Sequence, residues 1–159
     1  MSAMVRQARR RSRGFSLIEL MTVIVVLTVL ISVAAPGMQS LIANQRARSA
    51  AYDLIADLAM ARSEAVKRNK DVILSPAAGW AGGWTIKTSA TNELIGQRSP
   101  LGQGVQVTKS PASVTYDGSG RLSAATATIR FELFDGTSRY RCISLDPSGQ
   151  PSTKTSACP

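Results

Sequence analysis

The fold of this chain is decided at residues 13–20, which read RGFSLIEL. They open an apolar run over residues 15–35 in which Glu19 is the only charged residue. A carboxylate near the end of a membrane helix costs about 1–3 kcal/mol when nothing pairs with it. We therefore expect Glu19 to have a partner in the working protein.

Three interpretations fit an apolar run so close to the N-terminus. A secretory signal has a shorter apolar region followed by a small-residue cleavage site, whereas residues 36–40 continue into a helical pattern. A plain membrane anchor fits the length, since about 20 apolar residues span a bilayer, but it leaves Glu19 and the junction of Gly14 with Phe15 unexplained. In the third interpretation the chain is cut before the apolar run, which stays on the mature protein.

The basic charge of the chain is concentrated in its first residues. The 159 residues allow one domain with an extension. The net charge is +9, but the leader, residues 1–14, holds five arginines and no acid, and without it 14 basic residues face 10 acidic ones. The remaining +4 needs only a solvated surface. Because basic residues beside a membrane segment stay cytoplasmic, we expect the rest of the chain to face away from the cytoplasm.

The residues available for chemistry argue against catalysis. The chain has no histidine, which excludes Ser-His-Asp and Cys-His arrangements, and we predict no metal site, no cofactor and no enzyme activity. Asp117, Asp135 and Asp146 each stand beside Gly or Pro, so turn chemistry explains them. Cys142 and Cys158 would pair in an oxidising periplasm; two buried free thiols are the alternative.

A long helix is predicted over residues 15–70. Its first part, residues 15–35, is apolar, and its second, residues 36–70, is amphipathic, with apolar residues recurring largely at spacings of three and four. Pro36 removes a backbone donor and crowds the preceding turn, so we predict a kink there.

Strands and turns are predicted in the remaining head, residues 71–159. Short strands are expected at 72–74, 84–88, 105–108 and 114–116, and a hairpin at 129–134 and 140–145. Clusters of Gly, Pro and Ser at 75–83, 96–104, 117–120 and 147–152 separate them. Trp80 and Trp84 are predicted to be packing residues. The fold class is α+β, with an antiparallel sheet packed on the second part of the helix.

Four stretches of the chain resemble the type IV pilin superfamily, in its GspH/FimT-like branch of minor pilins and pseudopilins. They are RGFSLIELM with its apolar helix and Pro36, DLAMARSEAVKRN at 57–69, GWAGGW at 79–84 and RCISLDPSG at 141–149. The resemblance implies a type IV pilin-like fold, in which the hydrophobic half of the helix protrudes from a β-sheet head.

The resemblance also implies roles for the opening motif. A prepilin peptidase would cut after Gly14 and methylate the new amine of Phe15. An α-amine is largely cationic at neutral pH, so Glu19 would neutralise it in the filament. The partners would be other minor pilins and the major pilin, reached from the inner membrane, where the head lies in the periplasm. The protein would be a minor pilin that joins the tip or the priming complex of a type IV pilus and initiates its assembly, and it would reach the cell surface in the pilus. A minor pseudopilin of a type II secretion system is the alternative.

DNA binding is a further alternative that the resemblance raises. Some members of this family bind DNA through a carboxyl-terminal Gly-Arg-x-Arg motif, but residues 149–152 read GQPS here and lack both arginines. Phosphate neutralisation needs several cations on one surface. The candidates that could gather in this way are Arg121, Arg139, Arg141 and Lys154. We rank DNA binding below assembly.

Overall fold

The computed structural model describes residues 15–123 and 127–159, without the side chains of residues 34–36. The chain divides into two compact units, residues 1–38 and 39–159, which are treated separately below. Helix α1, Leu17–Arg68, contributes to both. The predicted leader, residues 1–14 with Gly14, lies outside the described residues, and the predicted division into a leader, two helix segments and a head stays a prediction.

The first unit is described from Phe15 onward and consists mainly of the beginning of α1. Its side chains are dominated by Val, Ile and Leu, and the β-branched ones have modest helix propensity in water. The hydroxyls of Thr22, Thr28 and Ser32 donate to helix carbonyls three or four residues earlier. Every polar side chain of the apolar stretch other than Glu19 and Ser16 is thus satisfied within the helix, as an apolar environment requires.

The length and composition of the described helices bear on whether the chain crosses a membrane. No single described helix is long and apolar enough to cross a membrane. The bent pair Leu17–Val33 and Gly37–Arg68, taken together, has the length and composition for a membrane span. Pro36 lies within the helix assignment, but its side chain is outside the description, so the kink stays a prediction.

The second unit begins with the remainder of α1, which ends in a well-formed cap. Asn69 adopts a left-handed φ of 50°. The Lys70 N–H donates to the Ala65 carbonyl and the Asn69 N–H to the Val66 carbonyl, each at 3.2 Å. This pair of backbone hydrogen bonds is a Schellman motif, in which Asn69 occupies the position usually held by Gly. The helix ends at Arg68, within two residues of the predicted end.

Eight strands and a short 3-10 helix follow α1. The strands are β1 (Val72–Pro76), β2 (Trp84–Thr88), β3 (Leu94–Arg98), β4 (Gln106–Lys109), β5 (Val114–Tyr116), β6 (Ile129–Phe134), β7 (Tyr140–Leu145) and β8 (Pro151–Lys154). They form two four-stranded antiparallel sheets, ordered β3-β2-β1-β5 and β4-β6-β7-β8. The α+β class predicted from the sequence is confirmed, with two sheets where one was expected.

Two of these strands were missed by the sequence interpretation. β3 and β8 fall partly in the clusters at 96–104 and 147–152 that were assigned to turns. Both are edge strands, and Gly96 and Pro151 lie in them. An edge position tolerates proline, whose nitrogen donates no ladder bond, so tertiary pairing overrides the local preference.

The core of the second unit lies between α1 and the sheets. The helix contributes a buried stripe at spacings of three and four, made of Ala47, Ala50, Ala51, Leu54, Leu58, Ala61 and Ala65. Five of the seven are alanines, which let the helix approach the sheets closely. Trp80 and Trp84 are buried as predicted, and the ring of Trp80 meets that of Phe131 edge to face at 4.7 Å.

Candidate functional site

The start of α1 carries the residues predicted to direct assembly. Phe15 is 80% exposed and precedes the helix. The Ser16 carbonyl accepts bonds from the backbone N–H groups of Glu19 and Leu20, each at 3.1 Å. Glu19 therefore sits in the first turn, where the helix dipole favours a negative charge. Its carboxylate forms no ion pair with any residue that the structure describes.

A helix-start signal at this site escaped the sequence interpretation. Ser16 and Glu19 have the S-x-x-E spacing of a capping box, in which the first residue caps the helix and the acid reaches back to it. The first backbone N–H groups of a helix have no partner within it. This four-residue pattern is visible in the sequence, and its Ser16 directly precedes the first residue of α1, Leu17.

The surface on both sides of Glu19 along the chain, from Phe15 to Val33, is almost entirely apolar. Each large apolar side chain from Phe15 to Val33 is at least half exposed or close to it in the isolated chain: Phe15, Leu17, Ile18, Leu20, Met21, Val23, Ile24, Val25, Val26, Leu27, Val29, Leu30, Ile31 and Val33. Soluble monomers rarely expose so large a continuous apolar surface. Lipid or other polypeptide chains must cover this segment in the cell.

In the head, a buried polar cluster fixes α1 against the first sheet. The Asp57 carboxylate accepts two bonds from the Arg98 guanidinium and one from the indole N–H of Trp84, all at 2.9 Å. Trp84 and Arg98 face each other across β2 and β3. The nearby carboxylate raises the pKa of Arg98, chiefly through the hydrogen bond. Such two-pronged bonds set the orientation of the helix.

A second cluster holds the carboxyl-terminal tail, residues 151–159, on the second sheet. A disulfide joins Cys142 on β7 to Cys158. The Glu132 carboxylate accepts the Cys158 N–H at 2.7 Å and the Thr108 hydroxyl at 2.7 Å, while the Lys109 ammonium donates to the Cys158 carbonyl at 3.0 Å. The hydrogen bond from Thr108, followed by that from Cys158, lowers the pKa of Glu132. The tail is therefore fixed by covalent, polar and ionic contacts.

The carboxylates of Asp117, Asp135 and Asp146 all stabilise turns. Each carboxylate accepts backbone N–H groups and a hydroxyl from residues two to four positions later. Burial of Asp135 acts to raise its pKa, but the backbone N–H groups of Arg139, Thr137 and Ser138 and the Thr137 hydroxyl outweigh it and hold the pKa at about 2. Turn chemistry accounts for these residues, as predicted.

The cations considered for DNA binding do not share one surface. Lys154 faces Cys142 across β7 and β8, and Arg141 is the neighbour of Cys142, so Arg141 and Lys154 point to opposite faces of the sheet. Arg121 lies near the end of β7, where the Leu122 N–H donates to the Pro147 carbonyl. Arg139 precedes the start of that six-residue strand, about 20 Å away. Arg139 and Arg141 do line one recess.

A metal centre finds no support in the described chain. Within residues 15–123 and 127–159, no three His, Cys, Asp or Glu side chains come together as a metal ion would require.

Comparison with known proteins agrees with this geometry. A family model described as "Type II transport protein GspH" matches residues 50–149, and one described as "Prokaryotic N-terminal methylation motif" matches residues 9–35. A crystal structure of the type IV minor pilin FimU of Pseudomonas aeruginosa PAO1 has a TM-score of 0.61 at 19% identity, covering 70% of this chain and 90% of FimU. A second FimU crystal form has a TM-score of 0.55 at 22% identity, covering 67% and 91%. No curated protein matches.

An exposed apolar helix joined to an α+β head of this topology defines a type IV pilin-like subunit. Within that superfamily, the chain belongs to the GspH family of minor pilins and pseudopilins. The resemblance seen in the four stretches is thereby confirmed. The methylation motif implies processing by a prepilin peptidase and assembly with pilin or pseudopilin partners. At the level of the family, this points to a structural subunit and not to an enzyme. The hydrophobic N-terminal helix suggests membrane anchoring before assembly.

Proposed function

We propose that this protein is a minor pilin of a type IV pilus, which joins the tip or the priming complex and initiates assembly. The observation that carries the proposal is the exposed apolar surface from Phe15 to Val33, with Glu19 as its only charge. Cleavage after Gly14 gives this segment a new amine at Phe15, which the peptidase then methylates. The segment has two successive environments, the inner membrane and the filament core.

Apolar contact alone does not explain the transfer from membrane to filament. Lipid covers Val, Leu and Ile side chains as well as neighbouring helices do, so burial contributes little net free energy to helix association in a membrane. The Glu19 carboxylate distinguishes the two environments, because it is unfavourable in lipid and stabilised beside a cationic amine. The amine of Phe15 on an adjacent subunit supplies that cation, and pairing both charges favours the filament.

The first test replaces Glu19 with Gln and follows membrane insertion and recovery in sheared pili. We expect normal insertion and processing, and a loss of incorporation of tenfold or more, because the amine then lacks a counter-charge. Glu64→Gln is the matched control, since Glu64 lies on the same helix but pairs with Arg68 within the head. Unchanged incorporation of Glu19→Gln would refute the assembly role.

A deletion strain separates the pilus from the secretion system. Loss of surface piliation at constant major pilin level is the expected result. The alternative, a minor pseudopilin of a type II secretion system, is favoured by the description of the matching family. It predicts normal piliation and reduced export of secreted proteins. The shared fold with the minor pilin FimU and the disulfide at Cys142 support the pilus.

DNA binding remains the weaker candidate, because Arg121, Arg139, Arg141 and Lys154 are divided between the faces and ends of the second sheet. A mobility-shift assay at low salt tests it directly. We expect no shift at micromolar protein. Steeply salt-dependent binding that Arg139→Gln with Arg141→Gln abolishes would establish it.

A further inference from the structure

A polar recess lies on the head where the carboxyl-terminal tail meets the second sheet. Its volume is about 390 Å³, and its walls come from α1, the turn between β6 and β7, the start of β7, and the tail. The residues that line it are Asn44, Ser138, Arg139, Tyr140, Arg141, Thr155, Ser156 and Ala157. We call it the arginine recess. The proposed role of α1 in assembly does not involve the arginine recess, so the proposed function leaves the recess unexplained.

The recess has donors for a negative charge and no acid of its own. None of its lining residues is Asp or Glu. Within the described chain, neither Arg139 nor Arg141 forms an ion pair. Arg141 donates one bond to the Asn44 side chain at 3.2 Å, which steadies the guanidinium and leaves its other N–H groups available. Two arginines and several hydroxyls thus surround one small space.

Both rims of the recess are held in place by the rest of the fold. On one rim, the buried Asp135 carboxylate accepts the backbone N–H groups of Thr137, Ser138 and Arg139 at 2.9–3.0 Å and so fixes the turn. On the other rim, the disulfide and the Glu132 contact fix Cys158, directly after Ala157. A site with fixed walls loses little conformational entropy when a ligand binds.

From these observations we infer that the arginine recess binds a carboxylate-bearing segment of a partner polypeptide. The planar fork of Arg matches the two oxygens of a carboxylate. The recess is compact, and Lys154, the nearest tail cation, lies on the opposite face of the sheet. A nucleic acid would need a longer run of cations along its backbone. One or two acidic side chains fit this space and charge.

The test measures binding of a fluorescent hexaglutamate peptide to the full chain in neutral detergent, by anisotropy. A hexaglutamine peptide and a single-stranded oligonucleotide of six nucleotides are the comparison probes. The variant Arg139→Gln with Arg141→Gln removes the two guanidiniums. The control, Arg130→Gln with Lys154→Gln, removes the same net charge from exposed positions on the outer face. Near-ultraviolet circular dichroism verifies that both variants keep the native fold.

We expect hexaglutamate to bind the native chain and the control alike, and the recess variant at least tenfold more weakly. Replacing Cys142 and Cys158 by Ser weakens binding as well, because the tail rim is then released. Equal loss in the recess variant and the control would reduce the effect to general charge and overturn the inference. Tighter binding of the oligonucleotide than of hexaglutamate, lost in the recess variant, would assign the site to nucleic acid instead. These outcomes are independent of the Glu19 and deletion tests.

Discussion

The two parts of helix α1 differ in the exposure of their apolar side chains. From Leu17 to Val33 every large apolar side chain is exposed, and the helix has no polar face. From Ala47 to Ala65 a single stripe is buried, and charged residues occupy much of the remaining surface. The two parts of α1 therefore meet different requirements: the first presents apolar side chains to its surroundings, and the second buries one face against the sheets.

The difference extends to the kind of apolar residue that is used. The first part relies on Val, Ile and Leu, whose branched side chains suit an apolar surrounding, where the helix is enforced because backbone groups find no water. The stripe in the head relies on Ala, with Leu54 and Leu58 as its large members. Small residues allow close packing on the sheets. Under the proposed function the first part exchanges lipid for neighbouring helices, whereas the stripe in the head keeps one partner, the sheets.

The largest expected effect that tests this contrast is Leu58→Ala. Leu58 is fully buried, so the substitution leaves a cavity and should reduce the free energy of unfolding of the head by about 3–5 kcal/mol. Leu30→Ala removes the same atoms from the exposed segment and should leave it unchanged within about 0.5 kcal/mol. Denaturant unfolding of the detergent-solubilised chain, followed by tryptophan fluorescence, measures both. Similar effects of the two substitutions would break the comparison.

The next effect concerns the tail, which is fixed in the head and has no counterpart in the first part. Replacing Cys142 and Cys158 together by Ser opens a loop with a sequence separation of 16. We expect a loss of about 3 kcal/mol, since the unfolded chain gains freedom. Ser148→Ala, an exposed turn substitution, serves as the control and should have a much smaller effect. A change below about 1 kcal/mol would mean that Glu132 and Lys109 hold the tail without the disulfide.

The sequence predicts those parts of the fold whose signal is local. The hairpin of β6 and β7 was predicted with its observed bounds, because Ile129, Phe131 and Leu133 alternate with polar residues and a Gly-containing turn follows. β3 and β8 carry no such signal, since apolar and polar residues do not alternate in Leu94–Arg98 or Pro151–Lys154 and each strand contains Gly or Pro. These strands exist because a neighbouring strand is there to pair with, which a single sequence does not reveal.

The candidate site divides in the same way. The apolar run and Glu19 were evident from the sequence, because composition alone defines them. The Asp57 cluster was not, since Arg98 lies 41 residues away and the register of β2 with β3 brings Trp84 beside it. The arginine recess likewise depends on how the tail is anchored. The roles of Gly14, Phe15, Glu19 and Pro36 stay predictions.

A smaller effect on stability is expected for the Asp57 cluster, which orients α1 on the first sheet. Asp57→Ala leaves the indole of Trp84 and the guanidinium of Arg98 without their acceptor and should reduce the free energy of unfolding by about 2 kcal/mol, because Arg98 can still reach water. Asp53→Ala is the matched control: its carboxylate is half exposed and 3.8 Å from Arg98, so we expect less than about 0.5 kcal/mol. If both variants lost the same free energy of unfolding, the nearby negative charge, and not the buried hydrogen bonds of Asp57, would be what holds α1 on the sheet.

The smallest effect is a dependence on pH that belongs to the head alone. The folded-state pKa of Asp135 is about 2, below the value near 3.9 of an unfolded aspartate. The carboxylate therefore contributes stability above about pH 4, and this contribution is lost as the pH falls from 4 towards 2. In Asp135→Asn the group does not titrate. We expect the stability advantage of the native chain over this variant to be constant between pH 5 and 7 and to shrink below pH 4, measured by urea unfolding at each pH. A constant advantage down to pH 2 would show that the turn depends on shape and not on charge.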